Sequence, residues 1–249
     1  MTGTDDNELS WISGLLSVQA AVSGGNREVW RILVQDDRFD GDTARLQRAA
    51  RERGVPLERV PEATLRATAG ADAGPVIAEV GQRRFVALPD LLAAAEPAAL
   101  FMLDGVEDPY NLGQALRSLY AAGATGVILR SHNPLTAVDT VLRASAGTAD
   151  LIPAAVVDSP EEVITLCRRQ GVTVLAAIAD DAVPMYDVDL RRSFCLLIGG
   201  EKRGLSRATV GQSDERVAIP YGRPACADLG AAAAAAVLGF EMARQRRRS

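Results

Sequence analysis

The chain has a single histidine, His132, and only three cysteines, Cys167, Cys195 and Cys226, in 249 residues. With this one imidazole, the usual zinc sites and the histidine-based catalytic triads are nearly excluded. The cysteines show no metal-ligand spacing, and Cys167 and Cys195 lie in apolar patterns that read as inert core thiols. His132 stands beside Asn133-Pro134 and reads as a loop residue. No apolar run is long enough to span a bilayer, and the N-terminus lacks a signal-like apolar core. The expectation is a cytoplasmic protein with neither membrane nor metal. Basic charge is not in excess either: the formal net charge is −5. Any nucleic-acid contact therefore has to use a local patch rather than a global field.

What remains is an ordinary globular composition, 48% hydrophobic and 24% charged, long enough for one large or two ordinary domains. Residues 1–9 are polar and read as a flexible start. The apolar pattern over 11–22 predicts a helix stopped by Gly24-Gly25. Strands follow over 29–34, 55–60 and 76–80, with helices over 42–53, capped by Asp42, and 62–68. Residues 82–96 read as a connector with a short helix from Leu88. Beyond it, strands are predicted at 100–103, 126–129, 152–157, 172–178, 194–198 and 216–219. Helices are predicted at 113–122, 137–146 and 160–170. Continuous apolar strands alternating with helices predict an α/β chain with a parallel sheet covered on both faces. Ligands in such sheets sit at the carboxyl ends of the strands. On the first unit Arg45, Arg48 and Arg51 form part of a basic cluster, either a solvated helix face or a patch that follows RNA phosphates.

Three loops after apolar strands stand out. Residues 103–123 read LDGVEDPYNLGQALRSLYAAG. Asn111 is the expected helix cap, and Arg117 is expected about one turn in, near the strand end. Its small and apolar neighbours suggest a partly buried guanidinium; a surface salt bridge is the alternative. Residues 196–206 read LLIGGEKRGLS. Gly199 and Gly204 have the spacing of a phosphate loop, but Leu205 stands where that loop needs lysine, so an ATPase is rejected. No dinucleotide fingerprint is present. The glycines say that backbone must approach something closely. Residues 219–241 read IPYGRPACADLGAAAAAAVLGFE, where Asp228 is the expected cap of an alanine-rich helix.

The order DPYNLGQALRS, IGGEKRGLS and IPYG…DLGAAAAAAVLGFE resembles the three motifs of the SpoU (TrmH-like) family, within the SPOUT superfamily. Arg143-Ala144-Ser145-Ala146-Gly147 fits the same pattern. The resemblance covers roughly residues 97–245. It implies an S-adenosyl-L-methionine-dependent RNA methyltransferase acting on ribose 2′-oxygens of rRNA or tRNA. The implied organisation is a start over 1–9, an L30e-like RNA-binding α/β domain over 10–81, a linker over 82–96 and a SPOUT domain over 97–249. That last domain carries a trefoil knot and forms a homodimer.

Carried over by motif, the resemblance implies Asn111, Arg117 and Glu201 as catalytic residues. Gly199, Gly200, Gly204, Ile219 and Leu229 fall at the cofactor, and Arg203 joins Arg45, Arg48 and Arg51 as an RNA contact. In the third motif the family has Ser-Leu-Asn where this chain has Asp228-Leu229-Gly230. Asp228 is therefore either a new proton acceptor for the 2′-hydroxyl or only a helix cap. Arg117 is either the base or, since arginine deprotonates only above about pH 12, a clamp for the adjacent phosphate. Arg244, Arg246, Arg247 and Arg248 read as a solubilising tail or a phosphate contact. The altered third motif keeps two alternatives open: a non-catalytic RNA-binding protein, and methylation of a different RNA atom.

Overall fold

The computed structural model describes residues 9–223 and 229–247. The chain divides into two compact units. One takes the residues up to Arg84 together with Ala137–Leu151, and the other takes Phe85–Thr136 with Ile152 onward.

The first unit runs β1 (Ser10–Ser13), α1 (Leu15–Gly24), β2 (Val29–Gln35), α2 (Gly41–Glu52), β3 (Leu57–Val60), α3 (Glu62–Ala69) and β4 (Val76–Val80). Its sheet has the order β1-β4-β2-β3. β4 is antiparallel to both its neighbours, and β3 runs parallel to β2. The single helix read over 11–22 is in fact two elements. Gly14 takes φ 96°, a left-handed backbone that ends one element before α1 begins. Upstream of it, Ile12 pairs with Ala78 of β4 and is fully buried.

The cap of α2 also moves, from Asp42 to Asp40. The Asp40 carboxylate accepts the Thr43 N–H and its hydroxyl, both at 2.7 Å, and the Arg38 Nε–H at 2.7 Å. These bonds, the Thr43 backbone bond first, hold its pKa at about 2. A carboxylate with a depressed folded pKa stabilises fully above its unfolded value and loses that contribution as pH falls through the folded one. Hydrogen exchange at the Thr43 amide is therefore expected to accelerate as pH drops from about 4 towards 2, beyond the intrinsic pH trend. Asp40→Ala should show the faster exchange already at neutral pH.

The later segment of this unit forms α6 (Val138–Ala144) and a 3₁₀ turn, Thr148–Asp150. The Ser13 N–H donates to Asp139 at 2.7 Å. Arg27 Nε meets both carboxylate oxygens of Asp150, at 2.8 and 3.0 Å, while its Nη1 donates to the Gly81 carbonyl. A Cβ on Gly147 would sit 2.6 Å from the Leu16 carbonyl oxygen, so only glycine lets the two backbones close. The RASAG pattern thus packs within the N-terminal unit. Its serine, Ser145, is fully buried and bonded to its own turn.

The second unit runs α4 (Leu88–Ala93), β5 (Ala99–Asp104), α5 (Pro109–Ala122), β6 (Gly126–Arg130), β7 (Ala154–Val157), α7 (Pro160–Arg169), β8 (Thr173–Ala177), β9 (Val183–Pro184), β10 (Phe194–Gly199), α8 (Arg207–Gln212), β11 (Glu215–Ala218) and α9 (Ala231–Arg246). The strands expected from the apolar runs are present; α8 and the two-residue edge strand β9 were not anticipated. The sheet is parallel throughout, in the order β7-β6-β5-β10-β8-β11-β9. β5 and β10 lie at its centre, and there Phe101 meets Phe194 edge-on at 5.6 Å. Burying such a side chain contributes about 1.5–3 kcal/mol.

Cys167 and Cys195 are free and buried in this core. A hydrogen bond with Cys167, and burial, push the Cys195 thiol well above its ordinary pKa. Cys226 falls outside the described residues. α9 packs on α5, where a Cβ on Gly239 would come 3.2 Å from Ala122. No helix among the described residues is long and apolar enough to cross a membrane.

Candidate functional site

In the second unit the chain leaves β5 and turns back at once. Asp108, not Asn111, caps α5: its carboxylate accepts the Asn111 N–H at 2.8 Å, and Pro109 occupies the first turn, where no backbone donor is needed. Starting the helix at Pro109 carries Asn111 inside it and frees its side-chain amide. That amide donates to Glu201 Oε1 at 3.0 Å. Arg117 becomes the ninth residue of α5, about 12 Å from its start at 1.5 Å per residue. The expected partly buried guanidinium is exposed instead, because α5 buries Leu112, Ala115, Leu116 and Leu119 and turns Arg117 away from them. Among the described residues it has neither a hydrogen bond nor an ion pair, so the salt-bridge alternative fails as well.

The loops after β5 and β10 are joined. The Gly200 N–H donates to the Asp104 carbonyl at 2.7 Å. A Cβ on Gly200 would lie 1.9 Å from the Gly105 carbonyl oxygen, and one on Gly199 would lie 2.3 Å from the Gly204 carbonyl carbon. Gly200 thus lets the two loops meet, and Gly199 lets its own loop fold back at Gly204. Lys202 pairs with Glu107, and that bond holds the Glu107 carboxyl below its ordinary pKa. Arg130, at the end of β6, ties its two neighbouring strand ends, donating to Asp104 of β5 at 2.6 Å and to the Asp158 carbonyl after β7 at 2.7 Å. Asn133, buried in the turn beside His132, accepts the Arg130 N–H and donates to the Val106 carbonyl. His132 itself is exposed in that turn.

Behind this junction lies a cavity of about 360 Å³, at the carboxyl ends of β8, β10 and β11. Its wall includes Gly199, Gly200, Glu201, Gly204, Ile219 and Leu229. The residues expected at a cofactor are thus brought together with Glu201; Asn111 reaches the cavity only through its bond to Glu201, and Arg117 is not part of the lining. The far wall is the beginning of α9, with Gly230, Ala231 and Ala234. The cap position of that helix is Gly230, which has no side chain to accept its first N–H groups. The cap position therefore falls two residues past Asp228, which lies outside the described residues. Tyr221 was not singled out by sequence reasoning, although it stands in the IPYG stretch. Its hydroxyl accepts the Leu229 N–H at 3.0 Å and fixes the two ends of the third loop to each other.

The basic residues are dispersed. Arg45 pairs with Asp42, whereas Arg48, Arg51 and Arg203 are exposed without carboxylate partners among the described residues. Arg246 is neither tail nor phosphate contact. It donates to the carbonyls of Pro97, Ala98, Leu190 and Arg192 and stands 5.6 Å from the Phe194 ring. Arg244 pairs with Glu241, Arg247 is exposed, and Arg248 lies outside the described residues. Among the described residues no cluster of histidine, cysteine or carboxylate side chains is placed to hold a metal.

A parallel sheet with a glycine-walled cavity at its carboxyl edge defines an α/β ligand-binding protein. The chain belongs to the SpoU rRNA Methylase family, whose profile matches residues 98–240. A second profile, RNA 2′-O ribose methyltransferase substrate binding, matches residues 11–86. The 23S rRNA (guanosine-2′-O-)-methyltransferase RlmB of Xanthomonas axonopodis pv. citri is 32% identical over 241 residues, spanning 95% of this chain and 96% of that protein. The crystal structure of the SpoU methyltransferase AviRb from Streptomyces viridochromogenes superposes with a TM-score of 0.79 at 26% identity, over 96% of this chain and 90% of that one. An AdoMet-bound rRNA methyltransferase from Sinorhizobium meliloti gives the same TM-score and identity, over 96% and 88%.

Proposed function

We propose that this protein transfers a methyl group from S-adenosyl-L-methionine to a ribose 2′-oxygen of rRNA. The observation that carries the reading is the glycine-walled cavity with the Asn111–Glu201 bond beside it. Its volume falls within the about 300–1,000 Å³ of small-molecule sites. Gly199, Gly200, Gly204, Ile219 and Leu229 would hold the cofactor, and the positive end of the α9 dipole favours an anionic group there. When bound, S-adenosyl-L-methionine supplies an electrophilic methyl on a sulfonium.

The chain's own residues position the other reactant. Arg117, exposed on α5, clamps the phosphate next to the reacting ribose, and its guanidinium favours the ionised 2′-oxygen. The Asn111–Glu201 bond keeps the first two loops in one arrangement, and such alignment supplies much of the rate. Asp228, in the third motif where the family has serine, serves as acceptor for the 2′-hydroxyl proton. Arg45, Arg48, Arg51 and Arg203 contact phosphates. In this reading a catalytic domain over 97–249, apart from the segment 137–151 that packs in the N-terminal unit, carries a trefoil knot and follows an L30e-like RNA-binding domain over 10–81. Two copies pair through the catalytic domain, and the enzyme works in the cytoplasm.

Calorimetry with S-adenosyl-L-methionine tests the cofactor, and no binding at millimolar concentration would sink the enzyme reading. Mapping alkali-resistant ribose positions in rRNA from cells with and without the protein tests the target. A position missing only in the deletion supports 2′-oxygen transfer to rRNA.

A further inference from the structure

Phe39 is the most exposed of the large hydrophobic side chains among the described residues, at 78%. It sits in the loop between β2 and α2, at the carboxyl ends of the parallel pair β2 and β3, where the Asp36 N–H donates to the Val60 carbonyl at 3.0 Å. The Arg59 guanidinium lies 4.2 Å from the ring centroid, a cation–π distance. Arg59 is itself anchored, since its Nη1 donates to the Arg38 carbonyl at 2.8 Å. The Arg38 side chain donates to Asp40, and Asp40 caps α2. One run of bonds thus leads from the helix cap to the cation over the ring. A guanidinium covers one face of a phenyl ring, and at 78% exposure the other face is open to solvent.

Resting on the reading that the substrate is RNA, we propose that Phe39 and Arg59 form a stacking platform for one unpaired RNA base. A base has the flat apolar face that an open phenyl ring accepts, and such stacking tolerates any base. The surroundings select a base over a protein partner. Asp36, Asp37, Arg38 and Asp40 flank Phe39 in this loop, so the exposed ring stands alone among charged residues. They also select a base over a phosphate at this point, because Asp36 and Asp37 repel one. The phosphates on either side fall to α2, which begins two residues on and offers Arg48 and Arg51 without carboxylate partners among the described residues.

The test uses the full chain and a short stem-loop RNA with 2-aminopurine in its loop, whose fluorescence falls on stacking. Phe39→Ala is expected to weaken RNA binding by about tenfold and to abolish the quenching. Phe39→Trp should keep both, and Arg59→Ala should weaken binding less. The melting temperature and the affinity for S-adenosyl-L-methionine should stay as in the unsubstituted protein. RNA affinity unchanged in Phe39→Ala overturns the inference and leaves the proposed function intact. So does a Phe39→Ala protein that changes its sedimentation without RNA, which would put a second protein surface on the ring. An unsubstituted protein that binds no RNA overturns the inference and the proposed function together.

Discussion

Arg117→Ala is expected to lower kcat for methyl transfer by about 10²–10⁴-fold, the range that one positioned catalytic group supplies. The affinity for S-adenosyl-L-methionine and the melting temperature should barely move. Arg117 is exposed, has no hydrogen-bond or ion-pair partner among the described residues, and is not part of the cavity wall. Exposed substitutions of this kind usually stay within about 0.5 kcal/mol of the parent in stability. A loss of rate in Arg117→Ala therefore reports on the reacting ribose and phosphate rather than on the fold or the cofactor. Arg117→Lys should recover part of the rate, since lysine keeps the charge but not the planar fork. Single-turnover kinetics with saturating RNA check this; an unchanged rate would remove Arg117 from the mechanism.

Asp150→Ala is expected to destabilise the N-terminal unit by about 3–5 kcal/mol, the usual cost of removing one member of a buried ion pair. The Asp150 side chain is fully buried and that of Arg27 is 6% exposed. A second cation, Arg83, stands close enough for Asp150 to matter to it. Burial draws its pKa down to about 10, against the opposing pull of Asp150, while the charge of Arg27 adds to the downward shift. Removing the carboxylate would leave two guanidinium groups in a poorly solvated place. A typical domain is stable by only about 5–15 kcal/mol, so a large part of the margin is at stake. Replacing Arg27 and Asp150 together by Met and Leu should recover part of the loss, but not all of it while Arg83 stays charged. Urea unfolding of the three variants decides the matter; equal stability of Asp150→Ala and the parent would refute it.

The central strands of the second unit were legible because they are short apolar runs, and a parallel sheet buried on both faces needs such runs. The cavity was legible for a related reason. Gly199, Gly200 and Ile219 stand at or just past the ends of strands, so their place at the carboxyl edge comes with the fold. Local pattern failed where a distant partner decided. Trp11 and Ile12 have a helix-like spacing, yet β4, some 65 residues further on, claims them as a strand. Caps were misplaced by two or three residues at Asn111 and Asp42, because Asp108 and Asp40 stood nearby with equal credentials. Arg117 was expected partly buried from its small and apolar neighbours. Those neighbours face the core, and that turns Arg117 outward. The membership of 137–151 in the N-terminal unit had no local sign at all; it rests on contacts such as Arg27 to Asp150.

That ion pair spans 123 residues of sequence, and a ribosome makes its two halves far apart in time. When residues 1–84 have emerged, Arg27 still has no carboxylate to meet. The N-terminal unit cannot be completed until the chain has passed Asp150, with β5, α5 and β6 of the other unit already synthesised in between. Long-range closure of this kind slows folding. At the usual pace of about 5–20 residues per second, the unfinished unit waits several seconds or more for its last segment. A nascent chain arrested just before residue 150 should therefore be cut by protease within its first 84 residues, and one arrested well beyond that point should resist.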